Sequence, residues 1–215
     1  MMKRMMILAV AALMVMTLPS FAHANLLAND SFETEGGGNW WQAADWTQEH
    51  LAGPLGGDHG ADRESWTGEA HTGTYFMALK NWSSNQEENQ VSQEVIASEG
   101  VQYTYSLWAV ADKAYTGNFY MRLAWYDGGS LLSTDAEDKA IGTSYAQYTL
   151  TGVAPAGADT VRAIFGANTT TDLTFKCDDA AIDGTGTPIP EPTSMLLLGS
   201  GLVGLLGFSR KKLLK

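Results

Sequence analysis

Gln102-Tyr103-Thr104-Tyr105-Ser106-Leu107-Trp108-Ala109-Val110 alternates in character from one residue to the next and is dense in β-branched and aromatic side chains. A period of two puts successive side chains on opposite faces of an extended chain, so this stretch predicts a strand rather than a helix. Asn118-Phe119-Tyr120-Met121-Arg122-Leu123-Ala124-Trp125-Tyr126 reads the same way. It runs into Asp127-Gly128-Gly129, a hairpin signal because tight two-residue turns need positive φ. Residues 145–150, 160–165 and 173–182 give further strands, separated at short intervals by Gly, Asn, Asp and Ser. No long 3.6-residue period occurs between the two ends of the chain. Gly36-Gly37-Gly38 and the stretch from Gly53 to Gly60 are expected to be loops, and no internal repeat is evident. Several short, punctuated strands predict an all-β fold, a two-sheet antiparallel jelly-roll sandwich.

Both ends of the 215-residue chain read as addresses. Lys3 and Arg4 precede an apolar stretch from Met5 to Leu18, then Pro19, then Ala22-His23-Ala24, the three parts of a signal peptide. Residues 1–24 are therefore expected to be a signal-peptide helix, and the mature chain to start at Asn25. At the other end, Pro190-Glu191-Pro192 is followed by an apolar run from Met195 to Phe208 and by Arg210-Lys211-Lys212. The run predicts a short hydrophobic helix, well under the roughly 20 residues of a comfortable membrane span. Gly199, Gly201, Gly204 and Gly207 would let another helix approach closely, and the basic cluster would stay cytoplasmic. This order resembles the PEP-CTERM sorting tail of exported Gram-negative proteins. The resemblance implies recognition and removal of the tail near Pro190 by an exosortase-like membrane enzyme, after transient insertion in the inner membrane. A plain C-terminal anchor is the simpler alternative. The expected organisation is thus residues 1–24 signal peptide, 25–184 one β-sandwich domain, and 185–215 linker and sorting tail.

The two terminal segments hold nearly half of the 13 basic residues and almost none of the 24 acidic ones. The central domain is therefore much more acidic than the net charge of -11 conveys. Such a surface repels nucleic acid and anionic lipid and suits divalent cations or neutral polymers. Cys177 is the only cysteine, so the chain forms no internal disulfide and must rely on a core, or on a metal.

A second resemblance spans nearly the whole central domain. Asn25-Leu26-Leu27-Ala28-Asn29-Asp30-Ser31-Phe32-Glu33 is similar to the opening strand of jelly-roll carbohydrate-binding modules of families four, nine and twenty-two, and Trp46 follows where those modules carry a tryptophan. His71 to Leu79, Val91 to Val95, Gly100 to Leu107, Ala154 to Arg162 and Asp178-Asp179-Ala180-Ala181-Ile182 follow in the family's order. Ala180 departs from the usual valine, and Trp40-Trp41 lie in an apparent insertion. The resemblance implies a structural calcium clipping the first strand to the last, with Glu33 and Asp178 or its neighbour Asp179 as carboxylate ligands. Calcium takes 6–8 oxygens, and carbonyls near Thr72-Gly73 could complete the set. The alternative is that Glu33 hydrogen-bonds nearby backbone amides.

Sugar rings pack a flat C–H face on aromatic rings while polar groups fix their hydroxyls. Trp40, Trp41, Trp66 and Trp82 fall in loop-like polar segments, beside Gln42, Glu64 and Asn81, and are the candidate ligand-binding residues together with Asn81. Each could instead be a packed loop anchor. Trp108 and Trp125 lie within strands. His50, Asp58, His59, Asp62, Glu64 and His71 crowd one region, yet lack the spacing of a catalytic metal site. Asp58 to Asp62 reads as a polar loop. No nucleophile elbow or phosphate loop occurs. The expected function is non-catalytic binding of an extracellular polysaccharide by a protein at the cell surface or in the matrix. A structural matrix protein that binds no sugar, or a small glycan-active hydrolase or lyase, are the alternatives.

Overall fold

The structure, a computed structural model, describes residues 25–53, 60–82 and 84–184. The expected signal-peptide and tail helices, and Pro190-Glu191-Pro192, lie outside the described residues. So do Asp58 and His59.

Twelve strands make up the described fold, and no helix occurs among these residues. They are β1 (Glu35–Gly36), β2 (Asn39–Ala43), β3 (Thr47–Ala52), β4 (Gly60–Glu64), β5 (Phe76–Asn81), β6 (Glu87–Ile96), β7 (Gln102–Ala111), β8 (Gly117–Asp127), β9 (Ser130–Lys139), β10 (Ala146–Val153), β11 (Thr160–Thr169) and β12 (Leu173–Gly184). The first sheet runs β10-β7-β12-β5-β4 and the second β3-β6-β11-β8-β9, all pairs antiparallel; β1 and β2 form a small hairpin. From β5 onward the chain changes sheet at every connection except the β8–β9 hairpin, which is the jelly-roll winding expected from the sequence.

The alternation that announced β7 is now explained. Tyr103, Tyr105, Leu107, Ala109 and Ala111 are buried, while Gln102, Thr104, Ser106, Trp108 and Val110 turn to the outer face. Phe119, Met121, Leu123 and Trp125 of β8 do the same from the opposite sheet. Phe32, Trp46 and Phe165 close one flank of the core, with ring centroids 5.1 to 6.2 Å apart. Gly128 and Gly129 both have positive φ, 53° and 86°, so the β8–β9 turn is the primed type that fits strand twist.

Four expectations need correction. Asn25–Glu33 is not a strand, because Asn29 and Phe32 take φ of 47° and 57°, which breaks an extended chain. It is held by two backbone bonds to β12, from the Leu26 N–H to the Ile182 carbonyl and from the Ala180 N–H to the Asp30 carbonyl, and by side chains that imitate strand pairing. Asn25 accepts from the Ile182 N–H and donates to the Ala180 carbonyl, and Gln93 both accepts from and donates to the Ala28 backbone. Gly36 closes β1 rather than lying in a loop, while Gly37-Gly38 form the expected loop as the tight turn of the β1–β2 hairpin. Gly60-Ala61-Asp62 belongs to β4 rather than to a loop. Finally, β9 is a strand that periodicity did not announce, since both of its faces meet solvent over most of its length.

Among the described residues two buried polar atoms lack a hydrogen-bond partner, His50 Nε2 on the edge strand β3 and, in the core, the Tyr105 hydroxyl. The Tyr105 hydroxyl is fully buried in the described structure without a hydrogen-bond partner. A buried, unpartnered hydroxyl forfeits its hydration, a loss of about 1–3 kcal/mol. Tyr105→Phe is therefore expected to leave urea-unfolding stability unchanged or to raise it by about 1 kcal/mol. A clear loss of stability would show that the hydroxyl is satisfied.

Candidate functional site

The three carboxylates singled out in the sequence do meet, at the short loop 71–75 that precedes β5. Asp178 Oδ2 accepts the backbone N–H of His71 at 2.9 Å and of Thr72 at 3.0 Å, and its Oδ1 accepts the Asp179 N–H at 2.8 Å. Glu33 Oε1 accepts the N–H groups of Thr74 and Tyr75 at 2.8 and 2.9 Å. Asp179 holds the side chains of the loop, with Oδ2 2.5 Å from His71 Nδ1 and Oδ1 accepting from the Thr72 hydroxyl at 2.6 Å. A bulge between Asp178 and Ala181, with φ of 46° at Asp179, turns both carboxylates toward the loop. Gly73 has φ of 62°, and a Cβ there would strike the Glu33 carboxylate. The loop is thus gripped from the first described segment and from the last strand. Among the described residues, no group of three or more His, Cys, Asp or Glu is placed to hold a metal ion. The oxygens of Asp178 and Oε1 of Glu33 are turned to backbone amides, and those of Asp179 to the loop's side chains.

Asp178 is fully buried. Burial pushes its carboxyl up to about 7, and Asp179 adds to this, against the lowering by the N–H bonds of Thr72, Asp179 and His71.

The candidate tryptophans divide between two surfaces. Trp66 and Trp82 stack on the outer face of the first sheet, centroids 6.4 Å apart at 25°, with Trp66 edge-on to Phe76. Trp82 is 41% exposed and donates its indole N–H to the Thr174 hydroxyl. Beneath it lies buried Lys80, which bonds Asp62 at 2.6 Å and Glu64 at 2.9 Å. Burial pulls the Lys80 ammonium down, but these carboxylates together hold its pKa above the ordinary value. Asp62 and Glu64, weighed as catalytic metal ligands, are thus committed to an ion pair. Asn81 is no rim group. It is 3% exposed and donates to the Thr169 carbonyl.

Trp40 and Trp41 stand on β2, 63% and 38% exposed. The hairpin is pinned from below by Arg63, whose guanidinium is buried and donates to the carbonyls of Phe32, Glu33 and Trp40 while lying 3.4 Å over the Tyr75 ring. Trp108 and His71 stack at 4.0 Å on the first sheet's outer face, so both are packed.

Sequence reasoning missed a groove in the second sheet. An open groove of about 800 Å³ runs beside the end of β6, walled by Leu26 and Ala28 on one side and by Asp45, Thr47 and Glu49 on the other. Ser92, Glu94 and Arg162 give it donors and acceptors. Asp45 also lines a smaller hollow of about 340 Å³ against the β1–β2 hairpin, with Gln42 and Trp46. The two cavities share Asp45, and the smaller one reaches β2 at Gln42 and Ala43, next in the chain to Trp40 and Trp41, which as neighbours on a strand point to opposite faces of the hairpin.

Residues 188–211 match the PEP-CTERM protein-sorting motif. No curated protein matches the chain. Among solved structures, the chain is similar to an enzymatically active domain of a bacteriophage CBA120 tailspike protein, at TM-score 0.58 and 13% identity over 74% of this chain. It spans only 21% of that chain. It is also similar to a family 16 carbohydrate-binding module (TM-score 0.53, 12% identity, 74% of this chain and 99% of that one). A third is the first family 22 xylan-binding domain of Paenibacillus barcinonensis Xyn10C (TM-score 0.52, 13% identity, 78% and 99%). Identities this low establish the sandwich fold that carbohydrate-binding modules have, and the ligand is a separate matter.

A carboxyl raised in the folded state stabilises the fold when protonated. The contribution of Asp178 is complete below its ordinary 3.8 and is lost as pH rises through about 7. In chelator-treated protein, unfolding free energy is expected to fall across that window, and Asp178→Asn to flatten the fall. An equally steep profile in the variant would contradict the assignment.

Proposed function

We propose that the protein is exported, sorted by its PEP-CTERM tail through an exosortase-like enzyme in the inner membrane, and binds an extracellular polysaccharide without cutting it. The observation that carries the binding half is a groove with charged and apolar walls that meets, at Asp45, a smaller hollow against the β1–β2 hairpin, whose strand β2 exposes two indoles. A saccharide chain needs both elements, apolar ring faces for its C–H surface and side-chain donors and acceptors for its hydroxyls. In this reading Trp40 and Trp41 supply ring faces on the two sides of β2, and Glu49, Ser92, Glu94 and Arg162 address the hydroxyls. Trp82, on the other sheet, is a separate exposed ring. The similarity to carbohydrate-binding modules supports the reading at the level of fold, and the sorting motif supports export toward the cell surface. The acidic domain suits a neutral polymer and excludes nucleic acid.

The test is affinity electrophoresis of the mature protein against the exopolysaccharide of its own host and against xylan. Retardation is expected, with at least a roughly tenfold loss of affinity in Trp40→Ala/Trp41→Ala, about the 1.4 kcal/mol of one weakened aromatic contact. Silence across the panel favours a structural surface protein. Release of reducing sugar favours an enzyme.

Calcium is a second part of the proposal. Glu33 and Asp178 approach one loop from opposite ends of the domain, and a divalent cation beside them would offset their charge. The loop is already held by amide bonds, so chelation is not expected to unfold the protein. Added Ca²⁺ is expected to raise the melting temperature, and Glu33→Gln to abolish the rise. A melt indifferent to Ca²⁺ removes the metal.

A further inference from the structure

Among the described residues, the exposed aliphatic side chains are Leu26, Leu51, Ile96, Leu131, Leu132 and Val153. All but Leu51 lie at one end of the sandwich. In the second sheet Ile96 is opposite Thr160, Thr160 opposite Tyr126, and Tyr126 opposite Leu131, so these residues form the last row across four strands. Leu26 donates its N–H to the Ile182 carbonyl and shares a groove wall with Ile96, which is 85% exposed. In the first sheet Val153 pairs with Gln102, one rung from the Gly184–Tyr103 pair. β12 therefore ends, at Gly184, on this same end. Ile96 and Leu131 leave the outer face of the second sheet and Val153 that of the first, so the set rings this end and offers a partner a grip on either side of it.

The charges around the set are acidic. Glu94, Glu99, Asp127, Asp159 and Asp183 lie here, and the basic Arg162 is already paired with Glu94. Such a rim opposes an anionic bilayer. It suits a protein surface that is apolar at its centre and cationic at its edge.

We propose that this end is the docking surface for the membrane enzyme that processes the tail. The inference rests on the sorting reading above. Pro190 lies six residues beyond Gly184, and six residues reach no more than about 20 Å even when fully extended. An enzyme that cuts there must work against this end of the folded domain, and the aliphatic set gives it a grip that the tail alone does not.

The experiment expresses the full chain in its host as wild type, as Leu131→Ser/Leu132→Ser/Val153→Ser, none of which lines the groove, and as Leu51→Ser at the other end. Mass spectrometry of the cell-associated and released pools reads the fraction that retains residues beyond Pro190. The triple variant is expected to show a several-fold larger uncleaved fraction, with melting temperature and polysaccharide retardation at wild-type values, and Leu51→Ser to behave as wild type. Equal cleavage of wild type and triple variant overturns the docking inference and leaves the sorting reading intact. A wild-type chain that keeps its tail in every pool overturns both. Sedimentation of the processed protein with phosphatidylglycerol vesicles, lost in the triple variant, would make the bilayer the occupant and also overturn the inference.

Discussion

Backbone N–H groups that no strand reaches are held here by carboxylates from distant parts of the chain, and the arrangement of the domain depends on that. Asp178, buried at a bulge in the central strand of its sheet, takes the amides of His71 and Thr72, while Glu33 takes those of Thr74 and Tyr75. A loop with several free donors could not otherwise lie against the protein, because each unpaired donor would forfeit its hydration. With the loop in place, Tyr75 meets Arg63, and Arg63 gathers the carbonyls of Phe32, Glu33 and Trp40. The hairpin that displays Trp40 and Trp41 is thereby tied, through one buried guanidinium, to the same clamp.

The sandwich was legible where one face of a strand is wet and the other dry. β7 and β8 meet that condition, and the Gly128-Gly129 turn carries its own chemistry. β9 does not meet it, since an edge strand wet on both sides has no alternation to read. The segment Asn25–Glu33 misled for another reason: its apolar residues are buried, but positive φ at Asn29 and Phe32 bends it, and side-chain amides replace part of the ladder. The meeting of Glu33, Asp178 and Asp179 at one loop followed from family resemblance; what composition did not announce is that Glu33 and Asp178 take backbone amides there while Asp179 takes the His71 ring and the Thr72 hydroxyl.

The indoles show what local composition can and cannot tell. Polar neighbours marked Trp40, Trp41, Trp66 and Trp82 as candidates for exposure; Trp66 is half-buried and the other three are exposed. The same cue failed for Asn81, whose position at the end of β5 turns it inward to Thr169. The groove beside β6 was invisible because its walls come from four separated stretches, residues 26–28, 45–49, 92–96 and 162, none with a distinctive pattern of its own. Assembly by topology, rather than by motif, makes this surface.

The domain thus joins an acidic, disulfide-free sandwich to a polar trough and a rigidly mounted aromatic pair, on a chain addressed for export. The most direct test of the account is the indole N–H spectrum of the ¹⁵N-labelled mature protein, titrated with an oligosaccharide of the host exopolysaccharide. The N–H groups of Trp46 and Trp125 are committed to the Asn29 carbonyl and to Asp135. Saturable shifts confined to Trp40 and Trp41, with Trp46 and Trp125 unmoved, are the predicted result. A titration that leaves the β2 indoles where they began while other resonances shift would contradict it.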